Sequence, residues 1–502
     1  MDNGMTKERR ECVVGIDIGS SNVVMSVGYK QEKGQQLDVV GVEIQSVGDN
    51  VKDGAIENVI ELGNTIAKAK EELERELNLS LNEAYVGISG TSVYGALYED
   101  FVYVGASNKL ISEADVRDLT ERIQKISTNN EYEIVERVLQ RYVVDDRQEV
   151  KNPVGAFGSK LSAEYLLVLC NKKQLERAKQ TLYTAGIKFG GLCVNPMVQP
   201  LALLSDEEKE EGVAIIDIGG DLTDISVVRQ GKVCFFASLP IGASTINSDL
   251  SQFISASKGN IEKLKKTFGE AIAENISIES TCSVELLGRS RKQILQRNIG
   301  EIIEERLKDI ARFALKSLKD AKLTSKIPCG VILTGGSAYL SNIELLFARE
   351  INMPVRLATN LYGVSEGSKD MLLPYTQSTV LGVMLRGAQK SSFVAQPTAK
   401  GVQPTPMPTP SAATYPSAPT APIAPIAPTM PTPEPRPTPT PVPTPAEPKP
   451  ASNEEEPTTT TTTTPTTTTP KPLGGVKPGV FGRLSDFFDR LISGDRDNDY
   501  LD

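Results

Sequence analysis

Apolar residues along the first four hundred positions recur with two different periods. Short apolar runs at 12–18, 22–29 and 37–44, bounded by Gly, Ser, Asn and Lys, predict three strands. From about 57 to 77 the apolar positions fall three and four apart, which predicts an amphipathic helix. The same order returns later. Runs at 213–218, 224–229 and 232–239 predict three more strands, and a helical period begins near Ser244. Alignment of CVVGIDIGSSNVVMSVGYK with VAIIDIGGDLTDISVVRQG pairs Asp17 with Asp217 and Gly19 with Gly219. A repeat at that separation implies two similar α/β halves and not a solenoid. Farther on, Gly330-Val331-Ile332-Leu333 predicts a strand that ends in Thr334-Gly335-Gly336-Ser337, with a helical pattern from about Ala338.

The pattern breaks near Phe393. Of 32 prolines, 25 lie between Pro397 and Pro478, in repeated Pro-Thr-Pro units interrupted by runs of Thr. Five basic and five acidic residues leave 393–477 neutral. Such a stretch buries too little apolar area to offset its ordering entropy, so a disordered, partly polyproline-II linker is expected. A flexible-coil estimate gives it an r.m.s. span of about 50 Å. A PxxP segment that binds a partner is the alternative.

Residues 478–502 regain a helical period. At roughly 100° per residue, Val480, Phe481, Leu484, Phe487, Phe488, Leu491 and Ile492 fall within an arc of about 140°. Arg483, Asp486, Asp489 and Arg490 take the opposite face. An amphipathic helix at the end of a leash cannot bury that stripe within its own segment. It is read as an in-plane anchor on a lipid surface; docking on the body or on a partner is the alternative. The charges on the helix balance, and GDRDNDYLD follows it, so one helix should bind anionic lipid weakly. Several such helices held in one assembly would bind more tightly together.

Composition narrows the chemistry. The chain has 502 residues, no histidine and no tryptophan. No Ser-His or Cys-His pair and no His-containing metal site can be built. The net charge of −10 argues against a dominant nucleic-acid role. Cys12, Cys170, Cys193, Cys234, Cys282 and Cys329 form no CxxC pair and read as reduced, packed thiols. The N-terminus lacks the apolar region of a signal peptide, and no apolar run reaches the roughly 20 residues of a membrane span. A cytoplasmic chain is therefore expected.

Carboxylates, hydroxyls and backbone groups must do the work. Each repeat is an apolar strand that ends in Asp-Ile-Gly, followed by a turn of small residues and a second strand. Such turns aim backbone N–H groups outward as an anion nest. Gly19, Ser20, Ser21 and Asn22 in the first turn, and Gly219, Gly220, Asp221 and Thr223 in the second, are the expected phosphate cradle. Asp17 and Asp217 at the strand ends are expected to hold a hydrated Mg²⁺, which favours carboxylates plus water. Gly335, Gly336 and Ser337 offer a backbone surface for the adenosine side of a nucleotide. An ordinary hairpin or strand-to-helix turn is the plain alternative for each motif alone. No P-loop and no GxGxxG is present.

Together, DIGSSN, DIGGDLTD and LTGGSAYL resemble the phosphate and adenosine turns of the actin/Hsp70/sugar-kinase superfamily. Within it, the chain resembles the bacterial FtsA family of actin-like cell-division proteins. ISEADVRDLTERI, VLQRYVVDDRQEVKNPVGAFGSKLSAEYLLV, GNIEKLKKTFGEA and the C-terminal helix carry that likeness. It covers residues 12–388 and resumes at about 478. The resemblance implies an α/β, actin-like two-lobed ATPase fold. Lobe 1 would comprise 1–84 and 164–211, an FtsA-type insertion 85–163, and lobe 2 with a return to lobe 1 212–392. It further implies ATP and Mg²⁺ between the lobes, with Glu262 and Lys265 near the ribose and base. It implies self-assembly into a filament, tethering to the cytoplasmic face of the membrane at the septum, and other divisome partners. It also implies docking of the FtsZ C-terminal peptide near a helix at 290–322, where Arg297 and Arg306 are the expected carboxylate partners. Solvated surface charge is the alternative for each arginine.

Two departures bear on catalysis. Asp221 stands where the family usually has glycine. Asn195, in VNPMVQPLALL, stands where actin relatives often place the Gln or Glu that orients water, and Asn is a poorer base. Asn195 is alternatively a plain cap before Pro196. Slow hydrolysis at most is expected. The competing assignments are a PilM-type pilus-assembly ATPase and a generic actin/Hsp70-fold ATPase.

Overall fold

The computed structural model describes residues 11–31, 36–105, 109–128, 130–288 and 290–390, together with the backbone of 393–394 and 396–397. The helix expected within 478–502 and most of the expected linker lie outside the described residues.

Strands β1 (Glu11–Ile18), β2 (Asn22–Lys30) and β3 (Leu37–Ser46) form an antiparallel meander. Helix α1 (Val59–Leu77) then crosses back, so that β4 (Glu83–Ile88) lies parallel to β1. Asn58 caps α1 through its side chain, which accepts from Glu61 N–H at 3.1 Å, and Asn78 ends it in the left-handed region. Its buried stripe, Leu62, Ile66, Ala69 and Leu73, packs on the apolar face of the meander with Ile16, Val23 and Met25.

The chain then leaves for a second sheet. Strands β5 (Val93–Tyr103), β6 (Tyr132–Val144) and β7 (Lys160–Asn171) pair antiparallel, and α2 (Glu113–Gln124) covers one side through Leu119 and Ile123. This inserted sheet begins at Val93 and ends at Asn171. The expected limits of 85–163 are therefore too early, because Tyr85–Gly87 pair with β1 in the first lobe. The chain returns through α3 (Lys172–Thr184) and β8 (Lys188–Val194), which pairs parallel with β4.

Helix α4 (Asn195–Leu203) leads into the second half. There β9 (Val213–Ile218), β10 (Thr223–Arg229) and β11 (Lys232–Leu239) repeat the meander, and α5 (Ala243–Phe253), α6 (Lys258–Phe268) and α7 (Gln296–Asp320) follow. Strand β12 (Val331–Thr334) lies parallel to β9. The expected helix at Ala338 starts later: Gly336–Tyr339 is one 3₁₀ turn, and α8 runs Ile343–Ile351 before β13 (Val355–Leu357). The two sheets run β3-β2-β1-β4-β8 and β11-β10-β9-β12-β13, with the same strand directions throughout. The internal repeat read from the sequence is thus a repeat of topology.

Helix α9 (Pro374–Lys390) crosses back onto the first lobe. A Cβ at Gly15 would meet Met384 Cγ at 2.6 Å, and one at Gly382 would collide with the Val198 carbonyl. These glycines let α9 lie against β1 and α4. The body extends slightly past Phe393. Residues 393–394 pair with Cys12 and Glu11, beside β1 where β4 has stopped, and 396–397 pair with Ser80 and Leu79.

Candidate functional site

Both repeated turns close in the same way. Gly19 N–H donates to Asn22 O at 3.0 Å, and Gly219 N–H donates to Leu222 O at 2.9 Å. The turns face each other, since a Cβ on Gly220 would collide with Ser21 Oγ. Close backbone approach is therefore what glycine supplies at 220. The third turn joins them. Gly335, at φ 89°, leaves no room for a Cβ against the Asp217 carboxylate and the Ile218 carbonyl. Its N–H donates to Tyr375 O at 2.8 Å.

Asp17 and Asp217 stand near the ends of β1 and β9, each partly buried. One helix holds both. Asn195 Nδ2 donates to Asp17 Oδ1 at 2.9 Å, and Gln199 Nε2 donates to Asp217 Oδ2 at 2.6 Å. Positions i and i+4 share one face of a helix, so α4 lays one amide on each half of the repeat. Gln199 also donates to Thr379 Oγ1 at 3.1 Å on α9. The plain-cap alternative for Asn195 is incorrect. Val194 is the cap residue, and the Asn195 side chain goes to Asp17.

A third carboxylate, absent from the sequence expectations, completes the floor. Asp224 lies directly across the ladder from Asp217. Ser238 and Ser89 hydroxyls donate to it, each at 2.5 Å. Burial first, and then the neighbouring acids, push the Asp17 and Asp217 carboxyls up to about 7; the Asn195 and Gln199 amides oppose the rise. Burial also raises Asp224, against its two serine hydrogen bonds.

Asn195 Oδ1, Ser337 Oγ and Asn247 Oδ1 are buried without a partner. Such atoms are costly unless a ligand or water completes them. Asn247, on α5, donates through its Nδ2 to Glu262 at 2.7 Å. Glu262 in turn pairs with the buried Lys265 at 2.8 Å. Burial lowers the Lys265 pKa against the pull of Glu262. Helix α5 is tied to the second turn, where Ala243 and Ser244 N–H groups donate to Gly219 and Gly220 carbonyls. Glu262 and Lys265 thus connect to the turn through α5.

The two arginines on α7 do not form one docking face. Nine residues at about 100° each put Arg297 and Arg306 on opposite sides of the helix. Arg306 is already paired, with Asp249 at 2.7 Å and Asp309 at 3.3 Å. Arg297 lies 3.5 Å from Glu301. A peptide carboxylate at Arg306, as expected from the sequence, would compete with Asp249 and Asp309. Among the described residues no cluster of three or more Asp, Glu or Cys is arranged to hold a metal unaided, and no helix is long and apolar enough to cross a membrane. A Mg²⁺ here would need phosphate oxygens and water besides Asp17 and Asp217, which is its usual manner of binding.

Two lobes of equal topology, joined at two Asp-Gly turns and bearing an inserted sheet, define an actin-like α/β protein. A family profile for cell division protein FtsA matches residues 214–372, and one for the SHS2 domain inserted in FtsA matches 97–169. The cell division protein FtsA of Bacillus subtilis (strain 168) is 32% identical over 359 residues, covering 71% of this chain and 80% of that one. FtsA of Pseudomonas aeruginosa is 26% identical over 381 residues, covering 76% and 90%. A solved PilM–PilN type IV pilus biogenesis complex shares the fold, with a TM-score of 0.50, 15% identity, and 75% of this chain and 98% of that chain covered. The chain belongs to the FtsA family of cell-division proteins.

Proposed function

We propose that this chain binds ATP with Mg²⁺ between its lobes, assembles into filaments, and tethers FtsZ filaments to the cytoplasmic face of the membrane at the septum. The carrying observation is the pair of Asp-Gly turns that face each other, with Asp17 and Asp217 held by one helix. The unpartnered Ser337 Oγ of the third turn would be completed by a polar atom of such a ligand. Gly19, Ser20, Ser21, Asn22, Gly219 and Gly220 would surround the phosphates, and Gly335, Gly336 and Ser337 would line the nucleoside side. Glu262 and Lys265 would flank it. Thr223, expected in the cradle, is instead fully buried, with its hydroxyl donating to Ile241 O at 2.7 Å. When bound, Mg²⁺ would neutralise phosphate charge. Asn195 and Gln199 would keep the two carboxylates aimed at the cleft. With an amide and no free base at 195, turnover would be slow, which suits a timer of assembly.

Membrane contact would rest on residues 478–502, whose Val480, Phe481, Leu484, Phe487, Phe488, Leu491 and Ile492 would form one apolar stripe if helical. The partner would be the FtsZ C-terminal peptide, with further divisome proteins. The test is liposome pelleting of the full chain and of a version that ends at Lys477, each with and without that peptide. Pelleting should require the last 25 residues, and the peptide should follow the protein. Equal pelleting of both versions would remove the tether, and peptide that stays in the supernatant would remove the FtsZ assignment.

A further inference from the structure

Three residues of one hairpin in the second lobe reach into the first. Asp221 Oδ2 accepts the Asp53 N–H at 3.2 Å. Leu222, 7% exposed, stands against Gly54: a Cβ there would come within 2.8 Å of Leu222 Cδ1. Asp224 accepts the Ser89 hydroxyl. Their counterparts lie on two short segments of lobe 1, the hairpin Val51–Lys52 with Ala55–Ile56 and the stretch 89–90 after β4.

Those segments are shaped as a notch. Asp53 at φ 49° and Gly54 at φ 76° make a left-handed tip. Gly90, at φ 117°, presses on it; a Cβ there would lie 2.8 Å from Asp53 O. Backbone meets backbone, with Leu222 against Gly54 and Asp221 accepting from the neighbouring Asp53 N–H. The acidic residue at 221, unexpected beside phosphates, thus has a partner that is not a phosphate. Glycine at this position would have no acceptor to offer Asp53.

We propose that Asp221 is a clasp between the lobes, which must release before a nucleotide can leave the cleft, so that this side chain slows nucleotide exchange. The exchange role rests on the nucleotide site proposed above; the clasp itself does not. Two variants of the full chain separate its hydrogen bond from its charge. Asp221→Gly removes the acceptor and the charge, whereas Asp221→Asn keeps an acceptor oxygen and removes only the charge.

The first measurement is hydrogen exchange across 51–56 without nucleotide. Protection of the Asp53 amide should fall about two- to tenfold in Asp221→Gly, as expected for one net hydrogen bond, and stay within about twofold of the parent in Asp221→Asn. The second is release of N-methylanthraniloyl-ATP in Mg²⁺. Asp221→Gly should release it faster by a similar factor; Asp221→Asn should release it no faster than the parent, because repulsion of the phosphates is relieved. Equal protection in all three proteins would overturn the clasp. Slower release in both variants would reduce Asp221 to a repulsive neighbour and overturn the exchange role. A parent chain that binds no probe would remove the nucleotide site and the exchange role with it, while the exchange of Asp53 still decides the clasp.

Discussion

Replacing Asp217 by Asn should stabilise the nucleotide-free protein while damaging the site. Burial, the Asp224 and Asp17 charges and the limited relief from Gln199 push the Asp217 carboxyl from 3.8 to about 7. The native state therefore holds a proton up to about pH 7 that the unfolded chain releases near 3.8. Between those values the native state binds more protons, so stability falls as pH rises through the window and is level above it. A shift of roughly three units at 1.36 kcal/mol each sets a ceiling of about 4 kcal/mol above pH 7. Asn keeps an oxygen for Gln199 Nε2 and carries no charge to desolvate, so a gain of about 2–4 kcal/mol is expected. For a body running from residue 11 to 390, about 2.1 cal/mol/K per residue gives an unfolding entropy near ~0.8 kcal/mol/K. Tm should thus rise by about 3–5 °C at pH 8, measured by thermal unfolding without Mg²⁺ or nucleotide. The advantage should shrink towards zero near pH 4. No gain at pH 8, or a gain that is the same at both pH values, would refute the reasoning.

Other substitutions test the frame around the site. Gln199→Ala should cost about 1–3 kcal/mol in urea unfolding, because the buried amide that donates to Asp217 and Thr379 is lost. Gly382→Ala should cost more than about 2 kcal/mol, since its Cβ would collide with the Val198 carbonyl where α9 crosses α4; loss in the same assay checks it. Arg306→Ala should destabilise by about 1–2 kcal/mol through its half-buried pair with Asp249, and a double-mutant cycle with Asp249→Asn should show coupling.

Much of this architecture was legible in the chain. The short apolar runs at 12–18, 22–29 and 37–44 match β1 to β3 within two residues, and the Asp-Ile-Gly repeat located both turns. Four things escaped. Residues 85–88 were assigned to the insertion because a lone apolar run does not say which sheet it joins; pairing with β1 decides that. Asp224 was missed although a turn at 219–222 places it across from Asp217; in the first repeat the matching residue is Val24, so the alignment offered no second acid. Gln199 was missed although it is four residues from Asn195 on the same helix, because a proline on either side obscured the helical period. The pairing of Arg306 with Asp249 joins residues 57 apart and leaves no local signal.

The account turns on whether the facing Asp-Gly turns hold a nucleotide through Asp17 and Asp217. Equilibrium binding of N-methylanthraniloyl-ATP to the full chain, with Mg²⁺ or with a chelator, tests it directly. The account predicts binding that requires Mg²⁺ and is lost in a folded Asp17→Asn, Asp217→Asn double variant. Binding that ignores Mg²⁺ and survives both substitutions, or no binding by the parent chain, would contradict it.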